Sequence, residues 1–188
     1  MAGVYSSTIG VVACFVDPVP VRRLVGDVWQ TIPTAADGSC NDVSASSSGL
    51  VFVGHLGGNY SVISDGQTAS VRNLGLNTAV NTVRSVDGTA DNLLLATGNG
   101  LFRVETNLVG EVLFDGASFD SVGGLWFDGF WWWARSSNEP LLRSDDAGKS
   151  WKRVSASTGS TPPIFDLLRI DNQLFAGGYT SVWKAQLW

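Results

Sequence analysis

The side chains able to do chemistry are few. The 188 residues contain one histidine, His55, three tyrosines (Tyr5, Tyr60, Tyr179), three glutamates (Glu105, Glu111, Glu139) and fourteen aspartates. A Ser-His-Asp arrangement would have to use His55, and no G-x-S-x-G elbow accompanies it. Glycoside hydrolysis by paired carboxylates needs two acids on one face, whereas most of the aspartates stand in turn-forming contexts. Gly98-Asn99-Gly100 lacks the lysine and following helix of a phosphate loop. Cys14 and Cys40 are too few and too far apart for a zinc site. They read first as two free, small apolar residues, with a disulfide as the alternative. No metal site and no cofactor is expected.

Composition points to strands. Hydrophobic residues make up 44% and charged residues 15%, and glycine occurs 22 times. Ser, Thr, Asn and Asp, which dominate the polar positions, favour turns over helices. A net charge of -5 argues against nucleic acid as a partner, because that needs a basic face. No apolar run reaches the roughly 18–20 residues that span a bilayer, so no membrane segment is expected. The stretch IGVVACFV ends near Cys14 and resembles a lipoprotein cleavage box, yet no Lys or Arg precedes it. It reads as a strand rather than a secretory signal.

What must position any functional group is a repeat. Five segments share one order: short strand, tight turn, strongly apolar strand, Gly- or Asn-rich loop, third strand. The apolar strand reads VVACF, LVFVG, LLLAT, WWWAR and QLFAG. Aligning Ala13, Val53, Ala96, Ala134 and Ala176 gives spacings of 40, 43, 38 and 42. Asp87-Gly88 and Asp128-Gly129 precede two of these strands and predict type I′ hairpins, with Ser48-Gly49 and Asp171-Asn172 in the same place. A fourth strand follows in four segments. Three to four antiparallel strands per repeat of about forty residues is the pattern of a β-propeller blade. The expectation is therefore one all-β domain, a small propeller of five blades near residues 1–33, 41–74, 81–114, 120–156 and 163–188. Residues 2–7 would serve either as the first strand of the first blade or as the outer strand of the last. Otherwise the unpaired edge of the last blade would meet another chain.

Trp131, Trp132 and Trp133 occupy the apolar strand of the fourth segment. Exposed together they would present about 450–750 Å², more than a monomer's surface usually tolerates as one patch. A strand covered on both faces by neighbouring blades reads as a continuous apolar run, so the core is expected and a ligand platform is the alternative.

The segment SDDAGKSW fits S-x-D-x-G-x-x-W through Ser144, Asp146, Gly148 and Trp151. It resembles the Asp-box, or BNR repeat, of sialidase-like propellers. The resemblance covers the blade pattern along most of the chain and one full box. It implies a structural turn between third and fourth strands, away from the ligand-binding face. The catalytic members are six-bladed and carry an arginine triad, a tyrosine nucleophile with a glutamate, and an acidic proton donor. No matching motif surrounds the arginines here, so a non-enzymatic member is expected. The longer Asp-box assembly factors of photosynthetic membranes are a weaker likeness.

In a propeller the loops between second and third strands share one face with the links between blades. That face would carry His55, Asn59, Asn99, Arg135, Asn138 and Tyr179, with amide, guanidinium and aromatic groups suited to a partner or a glycan. The loops differ in length and chemistry, which disfavours repeated sugar sites. The expectation is a structural or protein-interaction module of a larger assembly, with a protein partner or its own oligomer. By analogy a bacteriophage tail or capsid component suits such a chain. The alternative is a lectin-like propeller; a glycosidase-related enzyme ranks last.

Overall fold

The computed structural model describes residues 3–7, 10–15, 21–33, 40–64, 69–106, 108–114, 117–136, 141–154, 164–178 and 182–186. They form twenty strands in five antiparallel sheets. The first sheet contains β1 (Gly3–Ser7), β2 (Gly10–Cys14), β3 (Val21–Val25) and β4 (Val28–Thr31). The second contains β5 (Cys40–Ala45), β6 (Val51–His55), β7 (Asn59–Ile63) and β8 (Ala69–Asn73). The third contains β9 (Val80–Ser85), β10 (Asn92–Thr97), β11 (Gly100–Glu105), β12 (Leu108–Phe114) and β13 (Ala117–Ser118). The fourth contains β14 (Val122–Phe127), β15 (Trp132–Ser136), β16 (Leu142–Ser144) and β17 (Lys152–Arg153). The fifth contains β18 (Asp166–Ile170), β19 (Gln173–Gly177) and β20 (Val182–Gln186). Within each sheet the strands pair in sequence order, so β1 belongs to the first sheet and not to the fifth. The two-residue β13, which pairs with the end of β12, has no counterpart in the repeat read from sequence.

Consecutive sheets pack face to face, each pair around its own apolar cluster. Val12 and Cys14 meet Val51 and Val53 between the first and second sheets. Phe52 meets Leu93 and Leu95 between the second and third. Leu94 and Ala96 meet Trp132 and Ala134 between the third and fourth. Trp133 meets Leu174 and Ala176 between the fourth and fifth. Alternate residues of one strand therefore serve two different cores, which is why the second strands of the second, third and fourth sheets hold consecutive apolar residues at their centres. Trp132 and Trp133 are both buried, on opposite faces. Each contributes about 4–6 kcal/mol of gross transfer free energy for 150–250 Å² buried. Trp131 is half-buried beneath the guanidinium groups of Arg143 and Arg169, 4.6 and 5.2 Å from its ring centroid.

Three expectations are corrected. Ala96 faces the following sheet, whereas Val53, Ala134 and Ala176 face the preceding one. Leu95 is the residue that faces back in the third sheet, and a one-residue slip exchanges the two faces. The Asp-Gly turns are not type I′, because only their glycines have positive φ, 89° at Gly88 and 94° at Gly129. Each aspartate instead accepts hydrogen bonds from backbone N–H groups ahead of it: Thr89 to Asp87 at 2.9 Å, and Phe130 and Trp131 to Asp128 at 2.9 and 2.8 Å. Finally, Cys14 and Cys40 are not free. They form a disulfide with Cα atoms 5.7 Å apart. Their separation of 26 residues brings the end of β2 against the start of β5 across the first interface between sheets.

Candidate interaction surfaces

The box Ser144–Trp151 closes the turn between β16 and β17. Asp146 accepts from the N–H groups of Lys149 and Ser150 at 3.1 and 2.8 Å, and from the hydroxyls of Ser144 and Ser150 at 2.8 and 2.6 Å. Burial pushes its carboxyl up. The donors from Ser150, Ser144 and Lys149 outweigh that and hold the carboxyl at about 2, below the ordinary 3.8. Gly148 donates its N–H to Ser144 Oγ at 2.9 Å with φ at 80°. A Cβ there would also overlap the Leu94 side chain of the third sheet. Trp151 donates from Nε1 to the Gly148 carbonyl at 3.1 Å and packs edge-on against Phe119. The four motif residues Ser144, Asp146, Gly148 and Trp151 are thus spent inside the turn or on the interface between sheets.

The turns between second and third strands lie beside the links between sheets, as Gly98 N–H donating to Ala79 O at 3.0 Å shows. On that end the sequence-predicted residues meet different fates. His55 is 1% exposed and its Nε2 lies 2.8 Å from Ser61 Oγ inside the second sheet, so it does not reach the loop surface. Asn59 donates to Leu56 O at 3.2 Å and accepts from Asn73 Nδ2 at 2.6 Å, which ties it into its own turn. Asn99 is exposed at the tip of the β10–β11 turn. Arg135 lies against Gly123, with its guanidinium 5.5 Å from the Phe165 ring centroid. Asn138 and Tyr179 lie outside the described residues. Among the described residues the structure therefore brings no set of these side chains together.

Arg135 fills a place with a pattern behind it. Asn41 in β5 donates to Val80 O of the third sheet at 3.1 Å, and Asn81 in β9 donates to Val122 O of the fourth at 2.8 Å. Each asparagine follows the first residue of its strand, and in β14 that position is Gly123. There the arginine takes the vacated space and reaches the fifth sheet instead.

Sequence reasoning missed a second surface. A groove of about 480 Å³ runs along β12, lined by Arg103, Glu105, residues 108–113 and Lys149 of the box turn. Leu108 is 76% exposed there, with Val109 and Leu113 also exposed. Arg103 crosses its floor, donating to Asn92 Oδ1 at 2.8 Å and to the Ala147 carbonyl of the fourth sheet. The signal was available in LVGEVL, where the fourth strand of the sheet carries apolar residues on both faces. At the same end of the fourth sheet as the box turn, Phe130 is 70% exposed, and Arg169 stacks on it at 4.1 Å. Asp128 beneath accepts from Trp133 Nε1 at 2.9 Å. Among the described residues no helix is long and apolar enough to cross a membrane, and no cluster of His, Cys, Asp or Glu could hold a metal.

The chain superposes on three solved structures with sheets of this kind. It covers 94% of itself and 60% of YCF48 bound to a D1 peptide, at a TM-score of 0.68 and 19% identity. It covers 91% of itself and 26% of an ancestral GH74 enzyme, at 0.71 and 17%. The computationally designed Ika8 protein matches over 98% of this chain and 57% of its own, at 0.67 and 15%. The fold is a β-propeller. The chain spans less than two thirds of the length of each of these propellers. No protein-family profile matches the sequence, and no curated protein matches it.

Proposed function

We propose that this propeller is a non-enzymatic structural or protein-interaction module of a larger assembly, of the Asp-box type. The observation that carries the reading is the groove along β12. Leu108 stands 76% exposed at a strand edge, beside Val109, Leu113 and the charged pair Arg103 and Glu105. Apolar side chains set beside fixed charges and a strand edge that β13 pairs only at Leu113 and Phe114 suit an extended polypeptide, which adds main-chain hydrogen bonds to the sheet. The propeller likeness to YCF48, which is bound to a peptide in its structure, is consistent with this at the level of fold. A bacteriophage virion is the assembly suggested by analogy.

The non-enzymatic reading rests on the acids. Asp42, Asp87, Asp128 and Asp146 are each engaged in a turn or with a neighbouring group. Among the described residues the loop face offers no repeated polar set of the kind a lectin with one site per blade would show.

The test is to place a photo-crosslinking amino acid at Leu108 and irradiate the protein in its native cells. One defined polypeptide adduct, absent when the probe sits at exposed Asn99, supports the reading. Saturable binding on a glycan array with no adduct at Leu108 would replace it with the lectin alternative.

A further inference from the structure

Cross-strand register shows that the outward face of the fifth sheet repeats a face that is covered everywhere else. In the fourth sheet Trp126, Trp133 and Arg143 stand side by side across β14, β15 and β16. Trp133 and Trp126 pack on the fifth sheet. The corresponding triplet in the second sheet is Ser44, Phe52 and Val62, and in the third it is Arg84, Leu94 and Arg103. Phe52 and Leu94 are buried by the sheet that follows.

In the fifth sheet the triplet is Leu168, Phe175 and Lys184. Lys184 stands where Arg143 stands and lies 5.8 Å over the Phe175 ring. No core cluster among the described residues covers this face. Leu168 is 59% exposed, Ile170 51% and Val182 70%. At the other end of the chain, the first sheet turns Ala13, Arg22, Leu24 and Trp29 away from the second sheet. Phe15 joins them, 6.1 Å edge-on from Trp29 and beneath Arg22. Ala13 has the character of Ala134 and Ala176, the small residues through which later sheets receive the sheet before them.

Among the described residues the five sheets thus form an arc with one face of each kind that no other sheet covers, and the arc superposes on little more than half of YCF48 or Ika8. A face that receives a preceding sheet is what the fifth sheet lacks, and the first sheet of another copy presents one. We propose that a second copy of this chain completes the arc head to tail. The Leu168–Phe175–Lys184 face of each copy would lie against the Phe15–Arg22–Leu24–Trp29 face of the other, closing two copies into one ring of ten sheets, larger than either of those propellers, with both ends covered. The inference rests on the interaction-module reading and names one of its partners.

Light scattering coupled to gel filtration on the purified full chain tests it. The wild type is expected at twice its 20.0 kDa chain mass. Leu168→Glu and Trp29→Glu should each shift that mass to the monomer. An equimolar mixture of the two should regain dimer, because one interface then joins two unaltered faces. Both positions are exposed, and Ile170→Lys provides a second disruption of the fifth-sheet face if either variant misfolds. A wild type that stays at 20.0 kDa at every concentration overturns the proposal. So does a dimer that both substitutions leave intact, or one that mixing fails to restore. A monomer that still forms the Leu108 adduct would sink the self-pairing while leaving the interaction-module reading in place.

Discussion

Arg135 and Gly123 share one space: the guanidinium lies where a first side-chain carbon at Gly123 would be, and its plane reaches Phe165 of the next sheet at 5.5 Å. Gly123→Ala should therefore expel the arginine and loosen the contact between fourth and fifth sheets. The expected loss is small, about 0.5–1 kcal/mol by urea denaturation, because the clash falls on the far end of a flexible side chain that can swing aside. In an Arg135→Ala background the same substitution should cost much less, because the two residues are coupled.

The three consecutive tryptophans should differ sharply in worth. Trp133→Ala removes a ring buried between two sheets, and about 3–5 kcal/mol should be lost in the same measurement. Trp131, half-buried under two arginines, should cost clearly less. Equal losses would mean that the two rings share one environment.

Reducing Cys14–Cys40 frees a loop of 26 residues in the unfolded chain. About 3 kcal/mol of stability should go with it. Comparing urea midpoints of the native protein with and without reductant, and of Cys14→Ser with Cys40→Ser, checks this; the two variants should match the reduced protein.

The box predicts an acid response. Asp146 is held at about 2 in the folded chain against an ordinary 3.8. Its contribution is complete above about pH 4 and is lost as pH falls towards 2, since the unfolded state takes up the proton first. Partial solvent contact limits the effect to about 1–2 kcal/mol. Asp146→Asn should lower stability near neutrality and flatten its slope between pH 4 and 2.

The architecture was legible because its physics is local and repeated. A strand sandwiched between two sheets must be apolar at every position, so LVFVG, LLLAT and WWWA announce themselves at a spacing of about forty residues. The box was legible because its hydrogen bonds stay within eight residues. The register of the third sheet was not, because Leu93, Leu94 and Leu95 look alike and nothing in LLLA says which face each residue takes. Asp-Gly was read as a hairpin with two positive φ angles, but a side-chain acceptor two residues back serves the same turn and leaves the aspartate unstrained. The loop residues failed for a different reason. His55, Asn59 and Arg135 have the chemistry of ligand contacts, and the same chemistry satisfies buried or interfacial polar groups. Sequence alone does not distinguish a histidine bonded to Ser61 from one facing solvent.

The most direct test of the arc and its two unmet faces is amide hydrogen exchange on the wild-type chain at low and high protein concentration. Peptides covering β18 and β20, and those covering β3 and β4, should slow together as concentration rises, while buried β10 stays unchanged. Exchange that is independent of concentration at both ends, or that slows at only one of them, would contradict a propeller completed head to tail by its own copy.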